Sequence, residues 1–383
     1  MAMSTYHATV IPMSKWARDK FARIARNFVW AGDEGEHATG GHALVNWKTV
    51  CRPKEWGGLG MPDLEKSGRA LRLRWPWLQW KDSGRPWHGS TLPCDDTDMD
   101  LFRASTRITL GNGEKASFWK DNWCGNGPLR LWTPDLFKIA TRKNRSVAKE
   151  MQDDNWIRSI ARLSTPVQLT QFIEIWDMVT ATNLTPDLPD DISWTLTSDG
   201  VYSTSSAYNA QFHGSFPKFG ADKIWSAQAE PKCKLFAWLA IHGKLLTADM
   251  LAIRGWPHDP SCQLCLGAPE TAIHLCKDCP FSTAVGNLVN SWDGINTQAQ
   301  GPSFTSISEW WDDMISGKPK KIQKRTSGHL LYVLWNVWKE RNRRIFTGKR
   351  MTFVEVATLA WEDILQRGRA FAAYTPAPPP DPD

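Results

Sequence analysis

The side chains with the most chemistry in this chain crowd into eighteen positions: Cys262, Cys265, His274 and Cys279, spaced C-x2-C-x8-H-x4-C, with Cys276 inside the last interval. Thiolate and imidazole are the ligands that Zn²⁺ favours, and one tetrahedral ion can gather four of them if the chain turns twice. Pro260 before the first pair and Gly267 after it favour a tight knuckle whose backbone N–H groups can face the thiolates. His274 and Cys279 lie five apart, so a short helix or turn can present both. The alternative is a cluster of buried free cysteines packed with Leu264 and Leu275. Three cysteines and a histidine at this spacing favour the metal over that alternative. A full set of four protein ligands leaves no position for water, so the metal expected is structural.

Other chemistry is harder to find. A polymerase needs paired aspartates that hold two divalent ions. The Asp-Asp pairs here are Asp95-Asp96, Asp153-Asp154, Asp190-Asp191 and Asp312-Asp313, and none lies in an alternating hairpin. No endonuclease or ribonuclease H carboxylate set stands out either. Gly57-Gly58-Leu59-Gly60 could let backbone amides approach an anion, but no Gly-Lys-Ser/Thr follows. A net charge of +6 permits a polyanionic partner without requiring one. Eight cysteines, half of them in one cluster, point to a metal site in a reducing compartment and not to a disulfide framework. No run of about eighteen apolar residues appears, and the first twenty positions lack an apolar signal region. An intracellular protein, in nucleus or cytoplasm and off the membrane, is expected.

The elements that must position the cluster can be read from periodicity. Ala17, Phe21, Ile24 and Phe28 mark an amphipathic helix with a basic outer face, ended by Gly32. Residues 33–43 are a glycine-rich loop, and a helical stretch from Leu64 to Leu78 should kink or end at Pro76. Four aspartates within 91–100 suggest a linker. Asn112-Gly113 between Arg107–Leu110 and Ala116–Trp119 predicts a hairpin, and Asp199-Gly200 between Trp194 and Tyr202 predicts a second. Val167 to Val179 reads as an amphipathic helix, and Ser203 or Thr204 caps another. Pro231 opens a helix with Leu235, Trp238, Leu239 and His242 on one face, His242 being a packed core residue and not a ligand. Thr247 caps the next helix and Gly255 ends it. This helix pair could pass for a DNA-binding helix-turn-helix; the adjacent cysteines favour a scaffold for the metal. Beyond the cluster, Lys318, Lys320, Lys321, Lys324 and Arg325 occur without a carboxylate. A helix through Leu330, Leu334 and Trp338 follows and carries Lys339, Arg341, Arg343 and Arg344. Thr352-Phe353-Val354-Glu355 is a capping box for one more helix. The tail is proline-rich.

The wording around the cluster closely resembles the zinc-binding domain that follows the polymerase in plant LINE-type (non-LTR) retrotransposon reverse transcriptases. Trp225, Pro231-Lys232, Phe236–Leu239, Leu246–Asp249, Arg254–Trp256, the C-x-x-C, Glu270-Thr271, His274-Leu275 and Cys279-Pro280 carry the resemblance. It implies Cys262, Cys265, His274 and Cys279 as the zinc ligands. Cys276 stands where that family usually has an aromatic residue, and Gly286 where it has a tryptophan. "CRPKEWGGLGMPDL" and "LGNGEKASFWKDNW" resemble the same proteins downstream of their catalytic palm.

The expected fold is mainly α with small β-hairpins. A helical thumb-like remnant spans 1–90; a linker, hairpin and helix span 91–190. The zinc-binding domain spans 191–290, a basic helical region 291–371 and the proline-rich tail 372–383. The function expected is a retrotransposon-derived, non-catalytic zinc protein that binds RNA or single-stranded DNA. The basic residues from Lys318 to Arg344 named above would contact phosphates. A protein-interaction scaffold, or a remnant without selected function, is the alternative. Nothing in the sequence sets the oligomeric state.

Overall fold

A computed structural model describes residues 9–31, 43–82, 84–214, 221–293 and 304–373. Most of the glycine-rich stretch 33–43, and the proline-rich tail from 374 on, lie outside them. The described chain is mainly helical with one two-stranded antiparallel sheet. It divides into two compact units, one of residues 1–22 and 62–214, the other of 23–61 and 215–383. Among the described residues no helix is long and apolar enough to cross a membrane. Helix α1 (Lys15–Ala31) runs across the unit boundary.

In the first unit, α2 (Leu64–Arg72) and α3 (Arg74–Lys81) break at Leu73, and Pro76 sits harmlessly in the first turn of α3. The aspartate-rich stretch is no linker. Asp95 and Asp98 form a reciprocal capping box that opens α4 (Asp96–Ala104). Asp98 is fully buried and takes a two-pronged hydrogen bond from Arg72 at 2.6 and 2.9 Å, which fastens α4 to α2.

The expected hairpins are replaced by a long-range pair. Strand β1 (Thr106–Thr109) is followed, after four short helices of four to six residues between 129 and 158, by helix α5 (Pro166–Ala181), whose Thr165 and Gln168 form a second capping box. Strand β2 (Asp191–Trp194) then pairs back onto β1, Thr106 facing Trp194. The chain after Asn112-Gly113 does not return along β1 because Asp190 holds it elsewhere. The buried Asp190 carboxylate accepts backbone N–H groups from Gly111 and Gly113 at 2.8 Å, and from Lys115 and Ala116 at 3.0 Å. Four charge-assisted bonds outweigh the local hairpin preference of one dipeptide. Around this staple Trp119, Trp156 and Trp194 are fully buried with Phe102 and Phe118. Ser203 caps α6 (Thr204–Ala210) as expected.

In the second unit, α7 (Pro231–Ile241) begins at its proline and buries Cys233, Phe236, Ala237, Trp238 and Ala240, whereas Leu235 faces solvent. The Trp238 indole donates to the Gly57 carbonyl at 2.9 Å, and the His242 ring lies 3.2 Å from the same oxygen. That explains the Gly57-Gly58 pair without any phosphate. Gly57 has φ +82°, and a Cβ at Gly58 would meet the Arg52 carbonyl oxygen at 2.0 Å. Helices α8 (Ala248–Ile253), α9 (Pro280–Asp293), α10 (Ile307–Ile315), α11 (Lys320–Thr347) and α12 (Phe353–Ala373) complete the unit. The Thr352–Glu355 capping box that opens α12 forms as read. The core gathers Trp311, Leu331, Tyr332, Val337 and Ala357 around α11.

The Asp190 staple sets a test for the first unit. Asp190→Ala strands four N–H groups, three of them in buried contacts, and should cost about 3 kcal/mol or more in urea unfolding. Asp190→Asn keeps one acceptor oxygen and should recover part of the loss. An Asp190→Ala protein as stable as wild type would show that the loop does not depend on this carboxylate.

Candidate metal centre

The knuckle is built by a short antiparallel return. Cys262 donates its N–H to the Ala268 carbonyl at 2.8 Å, Glu270 donates to Pro260 at 2.8 Å, and Ser261 bridges to Pro269. The tight corner falls on Leu266, whose φ is +58°, and not on Gly267. An N–H bond from Leu266 to the Cys262 carbonyl at 2.7 Å closes it. His274 to Asp278 form one wide helical turn, closed by an i→i+5 bond from the Cys279 N–H to the His274 carbonyl at 2.7 Å. The widened turn lets His274 and Cys279 face the same point.

The ligand atoms of Cys262, Cys265, His274 and Cys279 all lie within 4.8 Å of one another. Cys262 Sγ is 3.9 Å from Cys279 Sγ, and Cys265 Sγ is 3.4 Å from His274 Nε2. Tetrahedral zinc, at about 2.3 Å to sulfur and 2.0–2.1 Å to nitrogen, sets sulfur pairs about 3.8 Å and sulfur–nitrogen pairs about 3.5 Å apart. The residues therefore fit a zinc-sized ion. Cys276 is outside the group and buried in the core, where burial raises its thiol pKa to about 12.

The electrostatics of the sulfurs agree with the spacing. Cys279 is drawn down to about 5, first by the hydrogen bond from Cys262 and, against burial, by the backbone N–H groups of Ser282 and Phe281. Cys262 is pushed up by donating that bond and by burial, against the N–H groups of Cys265 and Leu264. Two thiols sharing one proton, each with main-chain donors, form a pair that a divalent cation converts to two thiolates.

Behind the sulfurs lies a charge that spacing alone does not single out. Glu270 is 1% exposed, and its carboxylate accepts from the Ala248 N–H at 3.0 Å. Glu270, not the Thr247 side chain, thus caps α8; the Thr247 hydroxyl turns to Asp249. Arg341 of α11 forks onto Glu270, with Nε 3.0 Å from Oε2 and Nη2 2.5 Å from Oε1. One turn on, Arg344 donates to the Gln263 and Leu264 carbonyls at 3.1 and 3.0 Å, inside the C-x-x-C itself. Nothing local in the sequence marks these contacts, because the partners are far apart in the chain.

The basic residues named from sequence thus separate into two groups. Arg341 and Arg344 clamp the knuckle, and Arg343 pairs with Glu340. Lys339 lies 4.0 Å from Asp363, and Lys318 donates to the Met314 carbonyl at 2.8 Å. Lys320, Lys321, Lys324 and Arg325 are exposed at the other end of α11. At 1.5 Å per residue, about 25–35 Å separates that group from the Arg341–Arg344 clamp. Trp256 and His258 line a groove of about 780 Å³ beside the knuckle with Trp338, Arg341, Arg344 and Phe346.

Comparison with known proteins agrees with the site. Residues 202–285 match the family described as zinc-binding in reverse transcriptase. The chain is 23% identical over 376 residues to a protein of Arabidopsis thaliana described as "Putative ribonuclease H protein", covering 90% of this chain and 58% of that one. No solved structure matches.

The Arg341–Glu270 pair gives a direct test. Arg341→Ala leaves a buried carboxylate without its counter-charge and should cost about 3–5 kcal/mol, read as a fall in the thermal midpoint. Arg341→Lys should not restore it, since a single ammonium cannot reproduce the fork. Equal midpoints for wild type and Arg341→Ala would remove the pair from this role.

Proposed function

We propose that Cys262, Cys265, His274 and Cys279 hold one structural zinc ion, and that the protein is a non-catalytic module binding RNA or single-stranded DNA through a basic face remote from the metal. The metal reading rests on a four-ligand set in which the Cys262 and Cys279 sulfurs are already served by main-chain donors. All four protein ligands together leave no coordination position for substrate. The family match at 202–285 supports the same reading.

The nucleic-acid reading is carried by one observation. Lys320, Lys321 and Lys324 stand exposed on the first turns of α11, and among the described residues no carboxylate pairs with them. Three cations at the electropositive end of a helix oppose its dipole, so they favour a function other than stability. Phosphates are the partner that such a cluster recognises without regard to sequence.

The absence of polymerase or ribonuclease chemistry belongs to the same proposal. Asp95 caps α4, Asp190 folds the 111–116 loop, and Asp312 pairs with Lys223. Among the described residues the convergent group of metal-binding side chains is the Cys3His set. A protein-interaction scaffold is a second reading, favoured by the exposed Val167, Leu169, Ile173 and Trp176 of α5.

Metal analysis should return one zinc per chain. Cys262→Ser, Cys265→Ser and Cys279→Ser should each lose it and unfold the surrounding segment, whereas Cys276→Ala should keep it. Unchanged zinc across the three serine variants would remove the site. Primer extension on an RNA template and cleavage of an RNA–DNA hybrid, each with Mg²⁺ or Mn²⁺, should show nothing above a buffer control. Affinity for a single-stranded RNA should fall with salt at about −0.7 per phosphate neutralised, or roughly −2 to −3.5 for three to five contacts. Replacing Lys320, Lys321 and Lys324 with alanine should flatten that slope while leaving the thermal midpoint in place. No measurable affinity at low salt would leave the scaffold reading.

A further inference from the structure

Two helices of this chain each leave an apolar stripe uncovered, and the charges beside the two stripes are opposite in sign. On α1 the exposed apolar residues are Trp16, Phe21, Ile24 and Phe28, with Phe28 67% exposed. At about 100° per residue they fall within roughly 140° of one another, so one continuous helix presents them as a single face about 20 Å long. Lys20 lies within that face, over the Trp16 ring at 4.9 Å, and Arg23 borders it. Asp19 is the one acid in the helix, and among the described residues no carboxylate pairs with Lys15, Lys20 or Arg23. The helix is held from another side, where Arg18 meets Glu65 at 3.6 Å and donates to the Met13 carbonyl at 3.0 Å.

The second stripe is on α5. Leu169, Ile173 and Trp176 are exposed, Ile173 by 50%, and with Pro166 and Thr180 they fall within roughly 80°. Glu174 and Asp177 flank them, α5 contains no basic residue, and among the described residues neither acid pairs with a cation. The inner face of α5 is already satisfied. Ile175 and Val179 are buried, and the rings of Phe172 and Trp176 lie 5.0 and 6.1 Å from Trp156. The outer stripe is therefore surplus to the packing of its own unit. Contiguous apolar faces of this kind mark contact surfaces, whereas singly exposed apolar residues do not.

We infer that this protein associates with a second copy of itself, α1 of one copy lying along α5 of the other. Like faces are poor partners for themselves: α1 on α1 sets Lys20 and Arg23 against their own equivalents, and α5 on α5 does the same with Glu174 and Asp177. An anionic surface answers the charges of α1 and leaves α5 bare. The second copy answers both stripes at once. Burial of the apolar residues drives the contact, and the opposed charges select which face meets which. A closed pair in which each α1 meets the other copy's α5 leaves neither stripe in water. The contact uses no residue of the Cys3His group and none of the basic end of α11, so it stands or falls apart from the metal and nucleic-acid readings.

Sedimentation velocity of the full chain, free of nucleic acid, tests it over about 1 to 100 µM, the range in which contacts below the standard interface size dissociate. The wild type should shift from monomer toward dimer as concentration rises. Ile24→Glu/Phe28→Glu and Leu169→Glu/Ile173→Glu should each remain monomeric, because every contact needs one α1 and one α5. An equimolar mixture of these two variants should form one-to-one pairs through the intact α1 of one and the intact α5 of the other. Thermal midpoints should stay close to wild type, since the replaced side chains are exposed. Charge reversal gives a gentler second set. Lys20→Glu/Arg23→Glu should weaken association about tenfold, and adding Glu174→Lys/Asp177→Lys to the same chain should restore it. A wild type that stays monomeric throughout overturns the inference. So does association unchanged in either apolar variant, a mixture that does not pair, or a charge reversal that its counterpart fails to rescue.

Discussion

A carboxylate cannot be left charged inside a protein without donors, and Glu270 sits inside this one between Cys265 and His274 of the Cys3His group. Its donors come from two directions in the fold, and its own main chain ties to a third segment. The first N–H of α8 takes one oxygen, the Arg341 guanidinium spans both, and the Glu270 main chain returns to Pro260 and so closes the knuckle. Each partner is itself held by something else: α8 by Leu245 and Ala248 in the core, Arg341 by the buried face of α11. Satisfying this one charge therefore fixes where the cysteine knuckle stands on the long helix. Arg344 repeats the restraint one turn later by gripping the carbonyls of Gln263 and Leu264.

Such an arrangement separates what closes the Cys3His loop from what aims it. The four side chains of the Cys3His group lie within eighteen residues, and an ion held by them would close that loop whatever surrounds it. What the ion cannot do is aim the loop. A guanidinium fork supplies direction, because its five donors are fixed in a plane. The cost of desolvating both charges is recovered by the number of bonds each makes, which is why the pair is an orienting device before it is a source of net stability.

Features that depend on nearby residues were legible in the sequence. Ser203, Pro231 and the Thr352–Glu355 box open helices where spacing places them, and Cys262, Cys265, His274 and Cys279 converge with Cys276 left out. Features that depend on distant partners were not. Asn112-Gly113 reads as a hairpin until Asp190, far along the chain, claims its amides. The aspartates of 95–98 read as a linker because Arg72 is not beside them in sequence. Arg341 and Arg344 read as phosphate contacts because exposed and buried arginines look alike until Glu270 and the knuckle carbonyls are placed. In each case the local signal was a true property of the residue, and a buried charge elsewhere decided its use.

The second unit is interrupted: its early piece, residues 23–61, is separated from 215–383 by most of the first unit. Val45 and Val50 pack with Trp225, Trp238 and Leu239 of the late piece, and the Gly57 carbonyl receives the Trp238 indole N–H. At a synthesis rate of roughly 5–20 residues per second, that early piece waits on the order of ten to forty seconds for its partner to emerge. The intervening unit has all but its first segment in one continuous run and can close as soon as α6 arrives to pack on α2. Order of emergence from the ribosome thus becomes part of the fold's specification. A circularly permuted chain that made residues 23–61 contiguous with 215–383 would reach the same contacts by a shorter wait, with less time for an unpaired apolar segment to find the wrong neighbour.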